Sequence, residues 1–492
     1  MPTADRSLPR LHEAPDGTRY RDLNGNGRMD PYEDPRRSPE ERAEDLLGRL
    51  SLEEKVGLMF HTVIETGPEG TLLEGPGAIS KSGTEQVVLG KHMNHFNIHG
   101  LASAQDAARW QNRLQQLAEQ APHGIPVTIS TDPRHGGAQN AGTSWATSFF
   151  SLWPEPLGLG ALDDEELVRD WARTVRREYT AVGIRAGLHP VADLATEPRW
   201  ARQRECFGQE PELVSRLVAA ALDGLHGGQD EPAVQTTIKH FPGAGPQKDG
   251  EDAHFPYGRD QVYPGGRFED HLLPFRTAIA QGTDAIMPYY GRPLGLEIDG
   301  EAIEEVGFGV NRQILTGLLR EELGFDGVIV SDWELGCDNH VGDQVLPARA
   351  WGVEELTPHQ RIQRILEAGA DQFGGKECTE LMLDLVRDGS VSAGTGRRPA
   401  AWWSCTTTAG CSRSGAPGSA CGSTPRDCPT RSSRRWGSRS RIPRRPTSRC
   451  CGSAHPSSRA MTCSSRPGST RAISSTRPGS RTGFRGSGRP AR

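Results

Sequence analysis

Between residues 50 and 390, short apolar or β-branched runs alternate with longer stretches whose apolar residues recur at helical spacing. The runs are 56–62, 93–98, 126–131, 183–194, 234–241, 285–289, 327–332 and 368–373. The amphipathic stretches between them include 104–120, 164–182, 211–227, 268–281 and 311–323. Strands that alternate with helices predict βαβ units on a parallel sheet. Eight runs over this length predict an α/β fold, a (β/α)8 TIM-type barrel with enlarged loops. A doubly wound open sheet is the competing architecture, but no Gly-rich turn opens a helix after the first strand.

Upstream, the first fifty residues are polar, acidic and rich in turn formers. Ser38-Pro-Glu-Glu41 and Ser51-Leu-Glu-Glu54 each read as a helix start, with a serine cap and a glutamate three residues on. Downstream the periodicity ends with a helical stretch at 379–388. The reading therefore divides the chain into an N-terminal segment 1–50, a barrel 51–390 and a tail 391–492.

Charge separates the tail from the rest. It holds twenty Arg, no Lys and one acid, Asp427, a charge of +19 against −6 for the whole chain, so residues 1–390 carry −25. An acidic body opposes nucleic-acid binding, which needs Lys and Arg against phosphate. No run approaches the ~18–20 apolar residues of a membrane span, and the N-terminus lacks the apolar core of a secretory signal. A cytoplasmic protein is the resulting expectation. Seven of the ten cysteines lie in the tail, at Cys405, Cys411, Cys421, Cys428, Cys450, Cys451 and Cys463, with no paired C-x-x-C spacing. Arg, Ser, Gly, Pro, Cys and Trp without period are what a GC-rich coding sequence read out of frame yields. A genuine basic, disordered tail is the alternative.

In a barrel of this type the reactive groups sit at the C-terminal ends of strands. The seventh run closes Gly327-Val-Ile-Val-Ser331-Asp332-Trp333, a carboxylate beside an indole. Such a pair suits a nucleophile for an anomeric carbon with an apolar wall for the sugar. An Asp that caps the next helix is the alternative. The fifth run closes Lys239-His240-Phe241-Pro242-Gly243, the third Thr131-Asp132-Pro133-Arg134-His135-Gly136, and the sixth Met287-Pro288-Tyr289-Tyr290. After the fourth come Pro198-Arg199-Trp200-Ala201-Arg202 and Glu205-Cys-Phe207-Gly208-Gln-Glu210-Pro211.

Taken together and in this order, these pieces resemble glycoside hydrolase family 3 over about residues 40–390. The resemblance implies a retaining exo-acting β-glycosidase that releases terminal β-D-glucose through a covalent glycosyl-enzyme. It makes Asp332 the nucleophile and has Asp132, Arg199, Lys239, His240, Met287, Tyr290 and Trp333 bind the sugar. The implied substrate is a β-glucoside or β-glucan oligosaccharide. β-Xylosidase or β-N-acetylglucosaminidase specificity is the alternative, as is a sugar-binding barrel impaired in turnover. Retention needs a second, protonated group to release the aglycone. In the family's two-domain β-glucosidases that group is a Glu on an α/β-sandwich domain after the barrel, where this chain has its Arg/Cys tail. One single-domain branch uses a His from a D-x-H in the loop after the fifth strand. Asp252-Ala253-His254 has that spacing, although Ala244 replaces a family His; a loop His without a catalytic role is the alternative. The third strand also departs from the family's D-x-E-G.

Two metal readings remain. Asp22, Asn24, Asn26, Arg28, Asp30 and Glu33 fill positions 1, 3, 5, 7, 9 and 12 of D-x-[DN]-x-[DN]-G-x5-E, an EF-hand-like loop that would hold calcium. An Asx-turn surface loop is the other reading. His92, His95 and His99 cluster near the second run, but the chemistry requires no cofactor and their spacing matches no zinc motif.

Overall fold

The eight predicted runs become eight strands of one parallel sheet in the computed structural model, which describes residues 11–392 apart from 138, 141–143, 146, 229–230 and 342–343. They are β1 (Phe60–Ile64), β2 (His95–Ile98), β3 (Thr128–Thr131), β4 (Ala186–Gly187), β5 (Gln235–Phe241), β6 (Ala285–Pro288), β7 (Val328–Ile329) and β8 (Phe373–Gly374). Neighbours pair in the order β7-β6-β5-β4-β3-β2-β1-β8. A parallel bridge between Val330 and Gln372 joins β7 to β8 and closes the ring. The reading of residues 391–492 as an unstructured tail falls, from 393 onward, outside the described residues.

Helices wrap the sheet because their apolar stripes need it. The helix Glu165–Ala181 buries Val168, Trp171, Ala172, Val175 and Tyr179, a 3.6-residue repeat with one apolar face. It packs on the helix Pro211–His226, where Gly224 permits close approach: a Cβ there would stand 2.5 Å from the Cβ of Ala172. Inside the ring the filling is partly polar. His61 Nε2 of β1 meets Ser130 Oγ of β3 at 2.7 Å, two odd-numbered strands sharing a layer as barrels of this type do. Burial drops the His61 pKa to about 4, so the ring is neutral.

Both capping boxes form. Ser38 Oγ accepts from Glu41 N and Ser51 Oγ from Glu54 N, while each glutamate accepts its serine's backbone N–H. The second box corrects the first strand. Residues 52–57 are helical and the strand begins only at Phe60, because the cap at Ser51 commits Val56 to the helix. At the other end, Ala368 closes the helix Pro358–Ala368 and Gly369 takes a left-handed turn (φ 116°), so the eighth strand shrinks to two residues. The stretch predicted as an α-helix at 311–323 is instead a π-helix over Gln313–Glu322.

The EF-hand-like loop lies near the opposite, N-terminal face of the barrel, where Leu23 and Glu33 border a cavity that also touches Thr128 at the start of β3. Its carboxylates are engaged internally. Asp22 accepts from the backbone of Asn26 and Gly27, and Glu33 from Leu23, Asn24 and Asp30. Asp30 Oδ2 accepts from the amides of Asn24 and Asn26. Arg28 and Arg49 stand 3.5 and 3.3 Å from Asp30. The loop's carboxylates are thus bonded to its own backbone N–H groups and side-chain amides and flanked by two guanidiniums, in the manner of an Asx-turn loop. His95 hydrogen-bonds Asn94 and His99 packs against Trp145; among the described residues, His92 included, no group of three His, Cys, Asp or Glu is arranged to hold a metal ion.

Candidate active site

Strand ends aim side chains into a cavity of about 460 Å3 at the C-terminal face of the barrel. This is within the ~300–1,000 Å3 range of small-molecule sites. Asp132, Lys239, His240, His254, Met287, Tyr290, Asp332 and Trp333 all line it.

Asp332 follows β7 and is 6% exposed. Its Oδ1 accepts the backbone N–H of Trp333 at 2.7 Å, while its Oδ2 is buried with no hydrogen-bond partner among the described residues. The segment is pinned from three sides. Tyr290 Oη donates to the Trp333 carbonyl (2.7 Å), Arg349 donates to the same oxygen (3.0 Å), and the N–H of Gly374 donates to Ser331 Oγ (2.9 Å). Trp333 then lies over Gly374 and Gly375, where a Cβ would run into its ring at under 3 Å. With Leu188 and Met287, backed by Val330, it forms the apolar wall of the cavity, suited to the C–H face of a pyranose.

Across the cavity Asp132 forms a buried ion pair with Lys239 (2.8 Å) and accepts from Asn97 (3.0 Å). Burial alone would raise its pKa, but the Lys239 ammonium and the Asn97 amide outweigh that and hold it below the usual carboxylate range. A bulge explains why neighbours Lys239 and His240 both serve the site. Lys239 stands opposite Met287 and Phe241 opposite Pro288, leaving His240 as the extra residue. His240 Nδ1 meets Asp193 at 2.8 Å. Burial pushes the His240 pKa well down, so it is neutral, with Nδ1–H toward Asp193 and Nε2 left as an acceptor.

Burial raises the Asp193 carboxyl to about 6, against the pull of the backbone N–H groups of Ala244 and His240. A carboxyl with a raised folded-state pKa binds its proton better in the native state. Its contribution is full below the unfolded value near 3.8 and is lost as pH rises through about 6. Urea unfolding from pH 4 to 7 therefore gives a wild type that loses stability relative to Asp193→Asn across that window. Parallel profiles would refute the assignment.

His254 enters from the loop after β5. Its Nδ1 meets Asp252 Oδ1 at 2.6 Å, and its ring stands edge-on to Tyr290 with centroids 4.9 Å apart. Burial opposes ionisation of Asp252, yet the hydrogen bonds and charge of His254 hold its carboxyl well below the ordinary range.

One expected sugar ligand is elsewhere. Arg199 points outward, its side chain 64% exposed and paired with Glu197. The turn that buries Trp200 carries the chain round so that Arg202, three residues on, reaches the cavity instead. Arg202 is buried and held by Glu205 at 2.8 Å. The motif contained both arginines, and only the turn decided between them. Lys81, Glu334 and Arg349 also line the cavity without a motif that marks them; Glu334 is flanked by Lys81 and Lys376.

Comparison with known proteins agrees with this fold. Residues 53–389 match the Glycosyl hydrolase family 3 N terminal domain. A probable beta-glucosidase C of Aspergillus oryzae is 48% identical over 363 residues, covering 73% of this chain and 56% of that protein. A periplasmic beta-glucosidase/beta-xylosidase of Dickeya chrysanthemi is 41% identical over 391 residues, 76% of this chain and 59% of the relative. The matched region thus spans little more than half the length of these relatives. Among solved structures, a beta-N-acetylhexosaminidase from Beutenbergia cavernae superposes with a TM-score of 0.56 at 23% identity, over 73% of this chain and 98% of that one. A Listeria innocua beta-glucosidase in complex with glucose gives 0.57 at 21%, over 75% and 46%.

Proposed function

This chain belongs to glycoside hydrolase family 3, and on that premise we propose that it is a retaining, exo-acting β-glycosidase using Asp332 as nucleophile. The observation that carries the proposal is the Asp332 carboxylate lining, at the end of β7, a cavity with an apolar wall and polar hydroxyl-binding groups. The backbone N–H of Trp333 donates to Asp332 Oδ1, which fixes the orientation of the carboxylate toward a bound sugar. Lys239, Asp132, His240 and Arg202 are placed to bind sugar hydroxyls, and such contacts strengthen as the ring distorts toward its oxocarbenium-like state. The substrate is a β-glucoside or β-glucan oligosaccharide, in keeping with the Aspergillus relative, a probable beta-glucosidase. The Dickeya relative, named for both glucoside and xyloside, makes β-xylosides the second substrate to try.

The proton for the leaving group is assigned to His254. Asp252 accepts its Nδ1–H, which orients the ring as a carboxylate orients a catalytic imidazole. Incubation with an activated fluoro-sugar glucoside is expected to place a covalent adduct on the peptide containing Asp332, read by mass. An adduct elsewhere overturns the nucleophile. Separately, His254→Gln is expected to slow alkyl glucosides by roughly 10^2–10^4-fold while activated aryl glucosides, which need little protonation, change far less. Equal losses on both would remove His254 from that role and leave Asp332 untouched.

A further inference from the structure

The barrel closes where β7 meets β8. The seam holds the Val330–Gln372 bridge and backbone hydrogen bonds from Ser331 N to Gln372 O (2.7 Å), from Asp371 N and Gln372 N to Ile329 O (2.8 and 3.1 Å) and from Glu334 N to Gly374 O (3.3 Å). Side-chain bonds run from Ile329 N to Asp371 Oδ2 (2.8 Å) and from Gly374 N to Ser331 Oγ (2.9 Å). Asp332 stands on this seam. Beyond it lie two of the three cysteines among the described residues, Cys337 after β7 and Cys378 after β8. Their Sγ atoms are 3.8 Å apart and both residues are partly exposed. Lys376 ties the same two loops, donating to the Cys337 carbonyl at 2.9 Å and pairing with Glu334. The chemistry proposed for the cavity uses neither thiol.

We propose that Cys337 and Cys378 form a reversible disulfide across the β7–β8 seam, a redox staple beside the catalytic carboxylate. The sulfurs need to close by only about 1.8 Å to reach bonding distance, within reach of side-chain rotation on partly exposed loops. Cys337 is the attacking group. The hydrogen bond from Cys378, with Lys376 and Lys81 nearby, brings its thiol down to about 7 against the effect of burial, while the same contact pushes Cys378 up. With hydrogen peroxide as oxidant, the Cys337 thiolate attacks one peroxide oxygen and the O–O bond breaks, giving a sulfenic acid and one water. The Cys378 sulfur then attacks the sulfenic sulfur, the S–O bond breaks, and a second water leaves. Two thiols lose two electrons and two protons, and one peroxide becomes two waters. The bond adds to the seam's hydrogen bonds a covalent tie between residues 41 apart in sequence, fixing the wall that carries Trp333 and Glu334.

The test uses the full chain treated with hydrogen peroxide, alkylated, digested and mapped by mass. Mapping separates the pair from the seven tail cysteines. The expected result is a peptide linking Cys337 to Cys378, with a rise in Tm of about 3–8 °C that dithiothreitol reverses. The rise should vanish in both Cys337→Ser and Cys378→Ser. A Cys337 that stays a thiol, advances to sulfinic acid or links to a tail cysteine overturns the proposal, as does a Tm rise that survives either substitution. The linked peptide of the unsubstituted chain decides the matter even if a variant fails to fold. Its outcome is independent of the glycosidase assignment.

Discussion

Asp332→Asn is expected to lower kcat on β-glucosides by about 10^4-fold or more, since it removes the atom that would form the glycosyl bond rather than one that assists it. The substitution is nearly isosteric. Oδ1 would still accept from Trp333 N, and the loop would keep its ties to Tyr290 and Arg349. Circular dichroism and Tm should therefore be close to those of the unsubstituted chain, and substrate should still bind, as calorimetry would report. Activity within tenfold of the parent, in a preparation shown by mass to be free of deamidated Asn, would end Asp332's candidacy.

Lys239→Met is the second large expected effect, and it falls on stability first. The Lys239 and Asp132 side chains are only 4% and 3% exposed. Removing one partner leaves a buried carboxylate that Asn97 alone cannot balance, at a cost of about 3–5 kcal/mol. The pH dependence should change sign. With Lys239 present, the Asp132 carboxyl is depressed, so its contribution is present above the unfolded pKa and lost as pH falls through the folded one. Without it, burial becomes the main influence and raises the carboxyl. Stability then falls as pH rises from about 4. Denaturant unfolding from pH 3 to 8 reads both slopes, and a variant that tracks the parent would show the pair to be energetically idle. Sugar affinity should fall as well, because both groups line the cavity.

How much of this was legible beforehand depends on the kind of signal. The strand–helix rhythm was legible because each barrel strand is buried on both faces and each wrapping helix on one. The Asp332, Asp132, Lys239, His240 and Tyr290 positions were legible because they close apolar runs, and strand ends are where such a fold gathers chemistry. Element boundaries were less so: Val56 belongs to a helix because a capping serine five residues upstream outranks its β preference. The choice between Arg199 and Arg202 was not written in residue type at all. Both are arginines in one motif, and a tight turn buries the second while the first pairs with Glu197 at the surface.

The sequence by itself determined which segments could be strands, which carboxylates close apolar runs, and that residues 391–492 follow a different composition. Local pattern carries that information because burial periodicity and capping are properties of neighbouring residues. Only the tertiary structure decided which distant groups meet. It put Lys239 against Asp132, His254 with Tyr290 beside Asp332, and Cys337 against Cys378 across the closing seam. Ring closure brings β8 back to β1 and β7, and contacts of that range depend on the whole barrel rather than on any run within it.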